Sequence, residues 1–196
     1  PYLGNSPIAI AVPANKELPI VLDMATSTVT YGKILLAAQE GKEIPSDWGV
    51  DKEGSPTTDP KKVRGLYPMS GHKGYGLALV LDVLAGILFG SPFGPYVKGI
   101  YFSPSVPQTI GHLLAAINIS VFVPVERFKS TVDRMIKEIK ALEPAKGFNE
   151  VLLPGEKEAR TKKKRLKEGI PLEEGICSEL RSLGEEWKVE LPAELR

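Results

Sequence analysis

The chain has one cysteine, Cys177, and two histidines, His72 and His112, in 196 residues. A lone cysteine excludes an internal disulfide framework and fits a reducing compartment, so the cytoplasm is the expected location. Two separated histidines with one cysteine give no zinc-ligand spacing, and no metal site is expected. Charge of either sign is not in excess: 25 Lys and Arg stand against 24 Asp and Glu. No global field therefore points to nucleic acid or to an anionic membrane surface. The longest apolar run, residues 76–90, is interrupted only by Asp82 and is shorter than the roughly 20 residues that a bilayer span needs. It reads as a buried core helix. No basic segment precedes an apolar one at residues 1–13, so the start does not read as a signal peptide. It reads as the middle of something. Asn and Gln are few beside Lys and Glu, a bias of heat-adapted proteins.

What is present is 42% hydrophobic content, enough for a globular core. "PIAIAVP" (7–13) and "PIVLDMA" (19–25) are short apolar runs bounded by prolines and separated by a polar turn, the pattern of two buried strands in a hairpin. From Thr26 onward the spacing of Ile34, Leu35 and Ala38, with Gly41 at the end, predicts a helix. Residues 43–68 are dense in Gly, Pro, Asp and Ser and predict a long loop, a length usually associated with function. "HLLAAINISVFVP" (112–124) reads as a strand buried on both faces, with His112 structural. Phe128, Val132, Met135, Ile136, Ile139 and Leu142 recur at helical spacing and predict an amphipathic helix packed on a sheet. "NEVLLPGE" predicts a further strand, "KEARTKKKRLKEG" a basic helix stopped by Gly169, and residues 172–187 a last helix. Mixed strands and helices without an internal repeat predict an α/β architecture.

Three features invite chemistry. "MSGHKGYG" (69–76) places three glycines, His72 and Lys73 before the apolar helix. Glycines can bring backbone amides close to an anion, Lys73 adds a point charge, and the helix start offers unpaired N–H groups. The same glycines could instead allow a tight turn with Lys73 solvated. Asp23, at the end of an apolar strand, could accept hydrogen bonds from ribose hydroxyls or cap the following helix. Residues 162–165, "KKKR", could contact phosphates or form a solvated helix face, which the neighbouring glutamates favour. Asp82 within the apolar helix is expected to be hydrogen-bonded to backbone or to a basic partner. Neither the Gly-x-Gly-x-x-Gly fingerprint nor the Gly-x-x-x-x-Gly-Lys-Ser/Thr loop is present.

Several segments in collinear order, "LGNSPIAIAVP", "LDMATS", "YGK", "IPSDWGVDKEGSPTTDP", "GHKGYGLALVLDVLAG" and "LLPGE", resemble the NAD(P)-dependent malate/L-lactate dehydrogenase family, which is unrelated to the Rossmann dehydrogenases. The resemblance covers almost the whole chain. It implies a three-layer α/β fold with a mixed sheet; the higher charge after about residue 150 sets a helical segment (151–196), expected to pack on the remainder of the enzyme, apart from a dinucleotide-binding part (1–150). It also implies NAD as cofactor, with NADP open, a small 2-hydroxy or 2-oxo acid substrate, and a homodimer or higher oligomer without nucleic-acid or membrane partners. Carried over position by position, it places cofactor contacts on Asp23, Met24, Ala25, His72, Lys73, Gly155, Glu156 and Lys157. "SPFGPYVKGIY", "GLYPMSGHKGYG" and "PAKGFNEV" are most similar to the branch that oxidises ureidoglycolate to oxalurate in allantoin breakdown. The family's catalytic histidine and its substrate-carboxylate ligands are expected upstream of residue 1, so no catalytic residue is expected within these 196 and the chain alone is expected to turn over little or no substrate.

Overall fold

The computed structural model describes residues 2–99 and 105–192. Two antiparallel strands open the chain, β1 (Ile8–Val12) and β2 (Ile20–Met24), paired from Ile8 with Met24 to Val12 with Ile20. The hairpin is the one its bounding prolines and polar turn predict. Its strands are half-exposed rather than buried, because among the described residues the ribbon pairs with no further strand, leaving Ile10 and Val21 open to solvent.

Helix α1 (Tyr31–Glu40) begins four residues later than the spacing suggests. Thr26 and Ser27 resemble capping residues, but they are drawn into pairing with residues 67–69: Ser27 bridges Pro68, and Thr30 becomes the N-cap. Gly41 ends the helix in the left-handed region at φ 66°, with its N–H donating to Ala37 O. The core sits between α1 and the segment read as a loop. Val29, Ile34, Ile44 and Val63 form it, flanked by Tyr31, Ala37, Trp48 and Leu66. Residues 43–68 are therefore structural: they hold two core residues, a second antiparallel pair of strands, β3 (Gly49–Val50) and β4 (Gly65–Leu66), and side-chain turns. Asp51 Oδ1 accepts the N–H groups of Glu53 and Ser55, and Asp59 Oδ1 that of Lys61, which is why a segment so rich in turn residues is ordered.

Helix α2 (His72–Ala85) follows and breaks at Gly86 into a single 3-10 turn, Ile87–Phe89. It is present where expected but is not a buried core helix. Within it only Gly74 and Ala78 are buried, while Tyr75, Leu79, Val80 and Val83 are exposed. The stretch His72–Phe89 is long and apolar enough to cross a membrane by length and composition alone. The α-helical part, 14 residues or about 21 Å at 1.5 Å per residue, falls short of a roughly 30 Å hydrocarbon core. Asp82 accepts the Gly94 N–H at 2.9 Å, the backbone partner expected for it.

Residues 112–124 form no strand. They are irregular apart from a 3-10 turn (Ile119–Val121), and Leu114, Ile117, Val121 and Phe122 are exposed, as is His112. β-Branched composition makes a segment fit a sheet but does not supply the neighbouring edge, and among the described residues no strand pairs with it. The amphipathic helix is α3 (Val125–Lys140), with Val132 and Ile136 buried. Met135 is exposed, and Leu142 lies beyond the helix end. "NEVLLPGE" also forms no strand, since Pro154 lacks an N–H and Gly155 turns the backbone to φ 86°.

Helices α4 (Glu156–Glu168) and α5 (Glu174–Trp187) complete the chain, and Gly169 stops α4 as its sequence predicts. Backbone proximity separates Pro1–Gly155 from Glu156–Arg196.

One buried charge anchors the hairpin. Asp133 of α3 accepts the N–H groups of Asn15, Lys16 and Glu17 at 3.0, 2.9 and 3.2 Å and is 6% exposed. Burial pushes its carboxyl up, but the N–H groups of Lys16, Asn15 and Glu17 and the charge of Lys137 outweigh this and leave it below its ordinary value. A carboxyl lowered in the folded state contributes stability that is complete above the unfolded value of about 3.9 and is lost as pH falls through the lower folded value. Asp133→Asn is thus expected to melt below the parent by on the order of 5 °C at pH 7, with the gap shrinking as pH falls below about 3.9. Thermal melts across pH 2–7 check this, and a gap that persists undiminished at pH 2 contradicts it.

Candidate functional site

Strand β2 joins the predicted segments. On its outer edge the Val21 N–H donates to Pro154 O at 3.0 Å, which lays the Pro154–Gly155 turn beside the strand. Gly155 sits so close that a Cβ there would lie 2.8 Å from Val21 Cβ. Side chains alternate along a strand, so Val21 and Asp23 share a face, about 7 Å apart. At the far end of β2 the chain is pinned by Thr26, which is 2% exposed. Its N–H and Oγ1 both donate to Asn5 O, at 2.9 and 2.7 Å. Its carbonyl accepts the Met69 N–H at 2.9 Å, and the Thr28 N–H donates to Tyr67 O at 2.8 Å. The Asp23–Met24–Ala25 segment and the loop before α2 are therefore held side by side.

That loop turns through two consecutive left-handed residues, Ser70 (φ 51°) and Gly71 (φ 63°). The Gly71 N–H is taken by Pro68 O, and the Gly74 N–H by Met69 O at 3.0 Å. Gly74 thus serves close packing, the blander of the two roles open to these glycines: a Cβ there would lie 2.2 Å from Met69 O. The next two amides are differently placed. No acceptor takes the backbone N–H of His72 or Lys73 among the described residues, and both side chains are exposed at the first turn of α2.

Asp23 is exposed in β2, opposite Ala9, and does not cap α1. Met24 and Ala25 are half-buried. Glu156 and Lys157 open α4 directly after Gly155, with Glu156 half-buried and paired with Arg160, and Lys157 exposed. Six of the eight predicted contacts, Asp23, Met24, Ala25, His72, Lys73 and Gly155, are thereby tied to β2 or to the loop bonded beside it. Residues 162–165 are all exposed within α4. Among the described residues no three His, Cys, Asp or Glu side chains gather as a metal site would require.

Sequence reading missed Thr26, whose bonds join β2 to the glycine loop. Its only signal, a hydroxyl residue before a helical pattern, resembles a cap. Gly155 is glycine for two reasons, a left-handed φ of 86° and the approach to Val21. Gly155→Ala is expected to cost about 2 kcal/mol, whereas Gly169→Ala, with φ 87° but open space, costs about 1 kcal/mol. Paired denaturant titrations check the difference, and equal losses contradict a close approach at Val21.

These features sit on a known framework. The sequence pattern of the malate/L-lactate dehydrogenase family matches residues 1–181. The chain is 42% identical over 193 residues to the malate/(S)-sulfolactate dehydrogenase of Methanothermus fervidus, covering 97% of this chain and 55% of that protein. It is 39% identical over 181 residues to the ureidoglycolate dehydrogenase (NAD(+)) of Escherichia coli, covering 92% and 52%. The solved sulfolactate dehydrogenase from Methanocaldococcus jannaschii superimposes with a TM-score of 0.81 at 44% identity, over 94% of this chain and 53% of that one. The fold is accordingly α/β and not Rossmann, and the chain belongs to the malate/L-lactate dehydrogenase family. It spans about half the length of the relatives it matches.

Proposed function

We propose that this chain forms the dinucleotide-contacting part of a nicotinamide-dependent dehydrogenase that oxidises the hydroxyl carbon of a small 2-hydroxy acid. The observation that carries the reading is the double attachment of β2, to Gly155 at Val21 and to the His72–Lys73 helix start through Thr26 and Met69. The side chains suit a dinucleotide. The free N–H groups of His72 and Lys73, the Lys73 ammonium and the helix dipole favour a phosphate. The exposed Asp23 carboxylate can accept hydrogen bonds from ribose hydroxyls and would repel a 2′-phosphate, which favours NAD over NADP. Met24 and Ala25 offer half-buried apolar surface beside it, and Gly155 brings backbone close to Val21 on the same strand. When bound, the nicotinamide supplies the hydride acceptor. Glu156 and Lys157 belong to the reading through their place in sequence after Gly155.

For the substrate, two readings remain. Identity of 45% to the L-sulfolactate dehydrogenase of Methanocaldococcus jannaschii and 42% to the malate/(S)-sulfolactate enzyme favours a 2-hydroxy acid with a second anionic group. The segments "SPFGPYVKGIY" and "PAKGFNEV" favour ureidoglycolate, whose named enzyme is 39% identical. Steady-state assays of the protein expressed from its complete reading frame, with malate, sulfolactate, lactate and ureidoglycolate and either NAD or NADP, separate them. A kcat/KM for malate or sulfolactate at least tenfold above that for ureidoglycolate supports the first, the reverse the second, and activity on none refutes both. A homo-oligomer in the cytoplasm completes the proposal, supported by the uncovered apolar face of α2 and the lone cysteine.

A further inference from the structure

We propose that α3 is a brace that positions the dinucleotide-contacting edge of β2, with Asp133 and Lys140 as its two polar anchors. This rests on the dinucleotide reading above. Asp133 and Lys140 are seven residues apart, so they lie on one stripe of the helix, two turns or about 10 Å apart. Asp133 holds the turn between β1 and β2 through three backbone N–H groups. Lys140 holds the other partner of β2: its Nζ donates to Val151 O at 2.7 Å and to Glu150 Oε2 at 3.3 Å, three and four residues before Pro154. Between them on the same stripe, Lys137 Nζ lies 3.8 Å from Glu17 Oε1. One rigid helix thus fixes the hairpin turn at one end of β2 and the approach of the segment that lays Gly155 against Val21.

The consequence is geometric. Among the described residues this sheet is two strands wide, and a two-stranded ribbon twists and shifts readily unless an outside element holds it. The separation of Gly155 from Asp23 is then set by the two anchors on α3, while neither anchor is placed in contact with the ligand. Asp133 and Lys140 are therefore positioning residues, and losing either is expected to weaken dinucleotide binding more than its effect on stability accounts for.

The test is fluorescence titration with NADH of the protein expressed from its complete reading frame, alongside its thermal melt. Asp133→Asn is expected to raise Kd about fivefold and Lys140→Met about threefold. Lys140→Arg, which keeps the donor to Val151 O and the charge beside Glu150, is expected to restore Kd to within about twofold of the parent. Ile34→Val, in the α1 core away from β2, is expected to lower the melting temperature and leave Kd unchanged. If Asp133→Asn fails to fold, the Lys140→Met and Lys140→Arg pair decides alone. Parent-like Kd in the folded variants overturns the brace and leaves the dinucleotide reading standing. No NADH binding by the parent overturns that reading, and the brace with it.

Discussion

Gly74→Ala is expected to destabilise the protein by about 3 kcal/mol or more, the reverse of what the same change does in an ordinary helix. Glycine within a helix normally costs up to about 1 kcal/mol relative to alanine, so helix propensity alone predicts a gain. Here the added methyl would lie 2.2 Å from Met69 O and 2.9 Å from Met69 N, backbone atoms that cannot rotate away. The 68–71 turn must open to admit it, and with it goes the hydrogen bond of Met69 N–H to Thr26 O that couples the loop to β2. Gly76, two residues on in the same helix, has nothing within 4 Å of the place its methyl would take, and Gly76→Ala is expected to gain roughly 0.5–1 kcal/mol. Denaturant unfolding of the pair measures both signs in one series. Equal effects at the two positions would show that Gly74 is not closely packed.

Ile34→Ala is the second large effect. Ile34 is 1% exposed and is the member of α1 that enters the core with Val29, Ile44 and Val63. Truncating a fully buried isoleucine removes its transfer free energy and leaves a cavity, a loss of about 3 kcal/mol and on the order of 10 °C in melting temperature. Leu36, two residues along and 45% exposed, provides the contrast: Leu36→Ala is expected to cost less than about 0.5 kcal/mol. A small effect at Ile34 would mean that residues 43–68 do not pack on α1.

The elements whose ends are marked by their own residues were legible in the sequence. Prolines bound the hairpin, Gly41 and Gly169 stop two helices, and the period of Val132 and Ile136 sets α3. The failures share one cause: an apolar pattern states that a face is to be covered and is silent on what covers it. Residues 112–124 and the apolar side of α2 both carry a core-like pattern and are exposed in this chain. Residues 43–68 erred the other way, because Gly, Pro and Asp describe turns and hide the two core residues between them. At the candidate site, the residue types at Asp23, Lys73 and Gly155 could be named, but their convergence could not. It depends on backbone carbonyls of Pro154, Thr26 and Asn5, which no side-chain pattern encodes.

The central claim is that one edge of β2 and the start of α2 together bind a nicotinamide dinucleotide. Isothermal titration of the parent, Lys73→Ala and Asp23→Ala with NADH and with NADPH tests it directly. The account predicts saturable NADH binding by the parent, weakened at least tenfold by Lys73→Ala, which removes a charge-assisted phosphate contact. It predicts that Asp23→Ala weakens NADH while narrowing the preference over NADPH. NADH binding that neither substitution changes would place the dinucleotide elsewhere and contradict it.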